Sequence, residues 1–140
     1  MPNIARILQD SRIIAIVGMS DKPERASHEV ADYLLQQGYR VLPVNPALAG
    51  RDVLGQRAYA TLTEAAAAVA PARIDIVDCF RKSADILPIA EEAIAVKAGC
   101  LWLQLDVVNE QAAQVARAAG LEVVMDHCTK IEHRKLAVAA

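Results

Sequence analysis

The sequence predicts a doubly wound α/β domain, a mainly parallel five-stranded sheet with helices on both faces. Three observations carry this. Five short apolar, β-rich runs alternate with helical stretches along the chain, the connections between them are short, and small aliphatic residues dominate a composition that is 54% hydrophobic but only 4% aromatic. Alternation with short crossovers implies right-handed βαβ units, and small side chains suit helices packed closely on a parallel sheet.

The N-terminal stretch 1–12 reads as a helical lead-in. Ile13-Ile14-Ala15-Ile16-Val17, halted by Gly18, is an unbroken apolar run that reads as a strand buried on both faces. A polar loop follows, then Val30, Tyr33 and Leu34 at helical spacing, with Gly38 where a C-cap glycine belongs. Tyr39–Val44 is the second strand; Pro43 lacks an N–H, which places it at an edge or bend. Ala47 to Arg57 reads as a loop. Thr61-x-x-Glu64 is a capping box for a short helix from about Thr63 to Val69.

Ile74–Asp78 begins the third strand, running to Phe80, and Ser83 is the expected N-cap of a helix carrying Ile86, Ala90, Ala93 and Ile94. Cys100–Leu105 is the fourth strand, with Trp102 expected in the core and Gln104 on the same face. Asn109 caps the next helix, Gly120 ends it, and Leu121–Met125 is the last strand. Residues 126–140 read as a charged C-terminal tail. No internal repeat or long linker divides the chain, so residues 1–140 read as one Rossmann-like domain.

Composition narrows the function classes. A formal net charge of −2 gives no basic surface for nucleic acid, and no apolar run approaches the ~20 residues that span a bilayer. The N-terminus lacks a signal-peptide layout. Cys79, Cys100 and Cys128 form no Cys-x-x-Cys and have no metal-ligand spacing to the histidines. Reduced thiols in the cytoplasm are therefore expected, and no metal site.

In open α/β sheets, ligands bind at the carboxyl ends of the strands where strand order reverses. Gly18 opens the loop that meets this description best, since a helix N-terminus and backbone amides favour phosphate oxygens there. Ser20 and Ser27 offer hydroxyls, and Lys22 and Arg25 offer positive charge. The loop lacks the further glycines of a dinucleotide fingerprint, and the second strand ends in Asn45-Pro46 without the acid that holds ribose hydroxyls. Both count against ordinary NAD binding. Phe80-Arg81 offers a stacking face and a guanidinium, or simply a core Phe beside a surface Arg. Asp75 and Asp78 point to opposite faces and are no acid/base pair. Cys128, beside His127 and Lys130, is either a reactive thiol or a small packed residue.

Five ordered motifs extend the reading: Val17-Gly18-x-Ser20-x-x-Pro23-x-Arg25-x-Ser27, Gly38-Tyr39-x-Val41-x-Pro43-Val44-Asn45-Pro46, Asp78-x-Phe80-Arg81, Trp102-x-Gln104-Leu105 and Val124-Met125-Asp126-x-Cys128. Together, from about Ile7 to Leu136, they resemble the small stand-alone CoA-binding proteins, similar in fold to the CoA-binding domain of the succinyl-CoA synthetase α-subunit. The resemblance implies coenzyme A laid across the carboxyl rim of the sheet. Gly18, Ser20, Lys22 and Arg25 would hold its phosphates, Asn45 and Pro46 would line the next turn, and Phe80, Arg81 and Ser83 would flank the adenosine. Cys128 would match the cysteine near the CoA thiol. The chain departs from the family pattern at Asp106, where Gly is usual, and at His127, where Arg is usual.

The synthetase's phosphohistidine domain has no counterpart, so the resemblance implies binding machinery without visible catalytic machinery: a carrier, sensor or regulatory module, with a protein partner left open. The competing readings are a thiol-dependent redox or acyl-transfer enzyme acting on CoA through Cys128, and an NAD(P)-binding oxidoreductase.

Overall fold

A computed structural model describes residues 2–139; Met1 and Ala140, the outer ends of the lead-in and of the tail, lie outside the described residues. The lead-in is helix α1 (Ile4–Asp10), capped by Asn3, whose side chain accepts from the Arg6 amide. Strand β1 (Ile13–Val17) and helix α2 (Ala26–Gln36) follow, then edge strand β2 (Arg40–Val44). Helix α3 (Leu62–Val69) starts at Thr61, whose hydroxyl accepts from the Glu64 amide as the capping box predicts. Strand β5 (Ile76–Cys79), helix α4 (Ile86–Ala95), strand β6 (Cys100–Leu103), helix α5 (Glu110–Ala118) and strand β7 (Glu122–Val124) complete the alternation.

The five long strands form one wholly parallel sheet in the order β2-β1-β5-β6-β7. Order therefore reverses between β1 and β5, the expected place for a ligand crevice. Side chains alternate along each strand, so Ala15, Val17, Val77 and Leu101 meet α3, α4 and α5 on one face. Ile14, Ile16, Ile76 and Trp102 meet α1 and α2 on the other. The register aligns Val17 with both Val44 and Cys79, and Cys79 with Leu103. Gly18, Asn45, Phe80 and Gln104 consequently step off the sheet side by side.

Three local expectations are corrected. The segment from Ala47 to Arg57 is no plain loop: a 3-10 turn (Pro46–Leu48) leads into a hairpin of strands β3 (Asp52–Val53) and β4 (Gln56–Arg57). Leu54 and Gly55 both adopt positive φ at its tip, as a tight two-residue turn requires. Strands of two residues are too short to show alternation. Ser83 does not cap a helix. It opens a 3-10 turn (Ser83–Asp85) with no side-chain cap bond, and its hydroxyl instead accepts from the Val108 amide at 3.0 Å. The charged tail is helix α6 (Thr129–Ala139).

Helix α6 escapes an apolar-period search because its inner face is largely polar, with Leu136 packed against the core beside Thr129 and His133. Thr129 is buried; the His133 ring shares a 2.7 Å hydrogen bond with the Tyr33 hydroxyl and packs edge-on against Tyr33 and Tyr39. Burial there holds the His133 pKa below its ordinary value. Lys130 pairs with Glu29 at 2.7 Å.

Candidate functional site

At the switch point, the ends of β1, β2 and β5 enclose an open cavity of about 530 Å³. Gly18, Ser20, Lys22, Arg25, Ser27, Asn45, Phe80 and Arg81 all reach its wall.

Gly18 holds the crevice open through its shape. It lies at φ +87°, and a Cβ there would stand 2.5 Å from the Phe80 carbonyl oxygen. Its amide donates to the Val44 carbonyl at 3.0 Å, as does that of Met19 at 3.4 Å, so both extend the sheet instead of facing the cavity. Ser20, Ser27 and Asn45 brace the loop. The Ser20 amide donates to the Ser27 hydroxyl (3.0 Å), the Ser20 hydroxyl accepts from the Lys22 amide (3.1 Å), and Asn45 Nδ2 donates to the Met19 carbonyl (2.8 Å). Asn45 Oδ1 accepts from the Ala47 amide at 3.0 Å, so both ends of that side chain are used. Each serine hydroxyl keeps its own proton free to donate.

The attraction for anions comes from elsewhere on the wall. Arg25 is the N-cap of α2 and supplies no side-chain cap bond; the His28 and Glu29 amides donate to its carbonyl, and Ala26 and Ser27, at the positive end of the helix dipole, lie on the cavity wall. Lys22, Arg25 and Arg81 are exposed and make no ion pair among the described residues. Asp21 is the one carboxylate on this wall, and Arg51 of the hairpin neutralises it at 3.2 Å.

Three expected site residues stand apart from the cavity. Pro46 faces a neighbouring groove with Leu62 and Ile89, a groove that Arg81 also borders. Ser83 is committed to the loop after β6, through its hydroxyl and through its carbonyl, which accepts from Asn109 Nδ2. Cys128 is half-buried in the turn before α6, packed against the α1/α2 face of the core. Cys79 and Cys100 are buried, and burial drives both thiols well above their ordinary pKa.

Sequence reasoning missed one polar cluster below the rim. Asp78 is fully buried; one carboxylate oxygen accepts from Gln104 Nε2 at 2.5 Å and the other from the Thr129 hydroxyl at 2.8 Å. Desolvation raises its pKa to about 7, partly offset by the bonds from Gln104 and Thr129. Only the shared face of Trp102 and Gln104 hinted at it. Trp102 itself is in the core, its indole N–H donating to the His127 carbonyl at 2.8 Å. Of the two departures from that pattern, Asp106 has a definite structural setting. Asp106 sits at φ +67°, a conformation that favours glycine, and its amide donates to the Asp126 carboxylate at 2.7 Å.

A second groove, about 450 Å³, runs between α1, the end of α2 and α6. It lies at the amino end of the strands, away from the crevice.

Among the described residues, no helix is long and apolar enough to cross a membrane, and no group of three or more acidic, histidine or cysteine residues could hold a metal ion.

Comparison with known proteins agrees with this fold. A structure from Thermus thermophilus superposes with a TM-score of 0.87 at 33% identity, over 96% of this chain and 99% of that one. A hypothetical protein from Pyrococcus horikoshii gives 0.86 at 37%, over 96% and 89%. The uncharacterized protein YneT of Bacillus subtilis is 40% identical over 130 residues, 93% of this chain and 91% of its own. A dinucleotide-forming acetyl-coenzyme A synthetase from Candidatus Korarchaeum cryptofilum shares the fold over 86% of this chain and 27% of its own (TM-score 0.68, 19% identity). The family model described as a CoA binding domain matches residues 12–134, and the chain belongs to that family.

Proposed function

We propose that this protein binds coenzyme A in the crevice between β1, β2 and β5, in the cytoplasm, and works as a carrier, sensor or regulatory module. One observation carries the reading. Lys22, Arg25 and Arg81, three cations without ion-pair partners among the described residues, converge with the uncapped start of α2 on one cavity at the switch point. A pyrophosphate matches this arrangement, because charge-assisted bonds and helix amides both favour phosphate oxygens. Phe80, half-exposed at the same wall, gives an adenine a flat apolar surface. The non-catalytic reading draws support from the bracing roles of Ser20, Ser27 and Asn45, which hold the loop.

Calorimetric titration with CoA, acetyl-CoA, NAD and NADP tests the reading, with CoA species expected to bind and NAD to give little heat. Tight NAD binding with a flat CoA trace would reject it. Lys22→Ala and Arg25→Ala should each weaken CoA binding by about tenfold. They should also reduce its salt dependence, since each removes a charged phosphate contact. Unchanged titrations in both variants would remove those side chains from the site.

A further inference from the structure

We infer that Arg51 recognises a phosphate on the ribose of the bound nucleotide and so distinguishes coenzyme A from its dephospho form. The inference rests on the coenzyme A reading above and names a specificity determinant within that site.

In nucleotide-binding sheets of this kind, the end of the second strand reads the ribose: an acid takes free hydroxyls, and a nearby arginine takes a ribose phosphate. Here β2 ends at Asn45, which has no charge and whose amide is committed at both ends, to the Met19 carbonyl and the Ala47 amide. The next cation along the chain is Arg51, and the structure fixes its backbone firmly. Its N–H donates to the Leu48 carbonyl (3.0 Å), its carbonyl accepts from the Ala58 amide (2.8 Å), and the preceding Gly50 amide donates to the Ala58 carbonyl (2.9 Å). The short hairpin of β3 and β4 extends directly from this point.

From that base the guanidinium reaches Asp21, which lies on the cavity wall. Arg51 is not itself a wall residue; it touches one, Asp21, with its own side chain 61% exposed. One 3.2 Å contact occupies one of five guanidinium N–H donors, leaving the others available. An ion pair this exposed is weak. A ribose monophosphate, carrying close to two negative charges, competes well for the same guanidinium and can accept two parallel bonds from it. Lys22, Arg25 and the start of α2 remain for the pyrophosphate. In this arrangement Asp21 parks Arg51 until the phosphate arrives.

The test is calorimetric titration of wild type, Arg51→Ala and Asp21→Asn with CoA and with dephospho-CoA, at one low salt concentration. Wild type should prefer CoA by about tenfold. Arg51→Ala should lose that preference while keeping the wild-type affinity for dephospho-CoA, with an unchanged melting curve as the check on folding. Asp21→Asn, which frees the guanidinium, should keep or increase the preference. Equal weakening of both ligands in Arg51→Ala, or a preference that survives the substitution, overturns the inference and leaves coenzyme A binding intact. Loss of the preference in Asp21→Asn would make the ion pair a structural strap and overturn it likewise. A wild type that binds neither ligand removes the coenzyme A reading itself, and this inference with it.

Discussion

Replacing Gly18 with alanine is expected to lower the melting temperature by about 10 °C and to abolish coenzyme A binding. Two costs combine. The residue lies at φ +87°, where a side chain is strained by about 1–2 kcal/mol. The new methyl would also stand 2.5 Å from the Phe80 carbonyl oxygen and 3.0 Å from its carbon, inside contact distance of rigid backbone on the neighbouring strand. Relief requires pushing the Gly18 loop away from the end of β5. That movement breaks the bonds from the Gly18 and Met19 amides to Val44 and turns Ser20, Lys22 and Arg25 out of position. Thermal melting and a CoA titration check both parts. An alanine variant that melts with wild type and still binds would show that the crevice does not depend on this approach.

The stability of the wild-type protein should fall as pH rises from about 4 to about 7, and Asp78→Asn should remove that component. Burial lifts the Asp78 carboxyl from 3.8 to about 7, against the lowering effect of the Gln104 and Thr129 bonds. At pH below 3.8 it is protonated in folded and unfolded chains alike. Through the window up to about 7 the unfolded chain releases the proton and the folded chain keeps it, so folding becomes steadily less favourable, then levels off. A shift of that size corresponds to on the order of 4 kcal/mol across this range. Asparagine is neutral throughout and can still accept from Gln104 and donate to Thr129. The quantity to measure is the difference between the two proteins' denaturation free energies at pH values across the window. A difference that grows with pH supports the assignment, whatever constant offset the substitution adds. Parallel curves would show that Asp78 ionises normally.

The sheet was legible because its signals are local and strong. Ile13–Val17 is apolar at every position since both faces are covered, and Pro43 could stand in β2 only because that strand is an edge. Thr61 and Glu64 announced α3 through hydrogen bonds that involve no distant residue. The crevice was legible by topology: the register that aligns Val17, Val44 and Cys79 follows from the βαβ order. What sequence could not show depends on partners far along the chain. Ser83 looks like a cap, but its hydroxyl bonds an amide 25 residues away. Helix α6 hides because it docks chiefly through Thr129 and His133, bonded to Asp78 and Tyr33, and no hydrophobic period records such contacts. Arg51 looked like any loop arginine until the two-residue strands beside it fixed its backbone.

The bond between Thr129 and Asp78 has a bearing on how the chain first folds as it is synthesised. All five parallel strands have been made once Val124 is in place, yet at that moment Asp78 lacks its hydroxyl donor and the Trp102 indole lacks the His127 carbonyl. A nascent chain halted there holds an interior acid with half its partners missing. The last stretch of chain to be made, from His127 through α6, thus supplies the final polar partners of the interior.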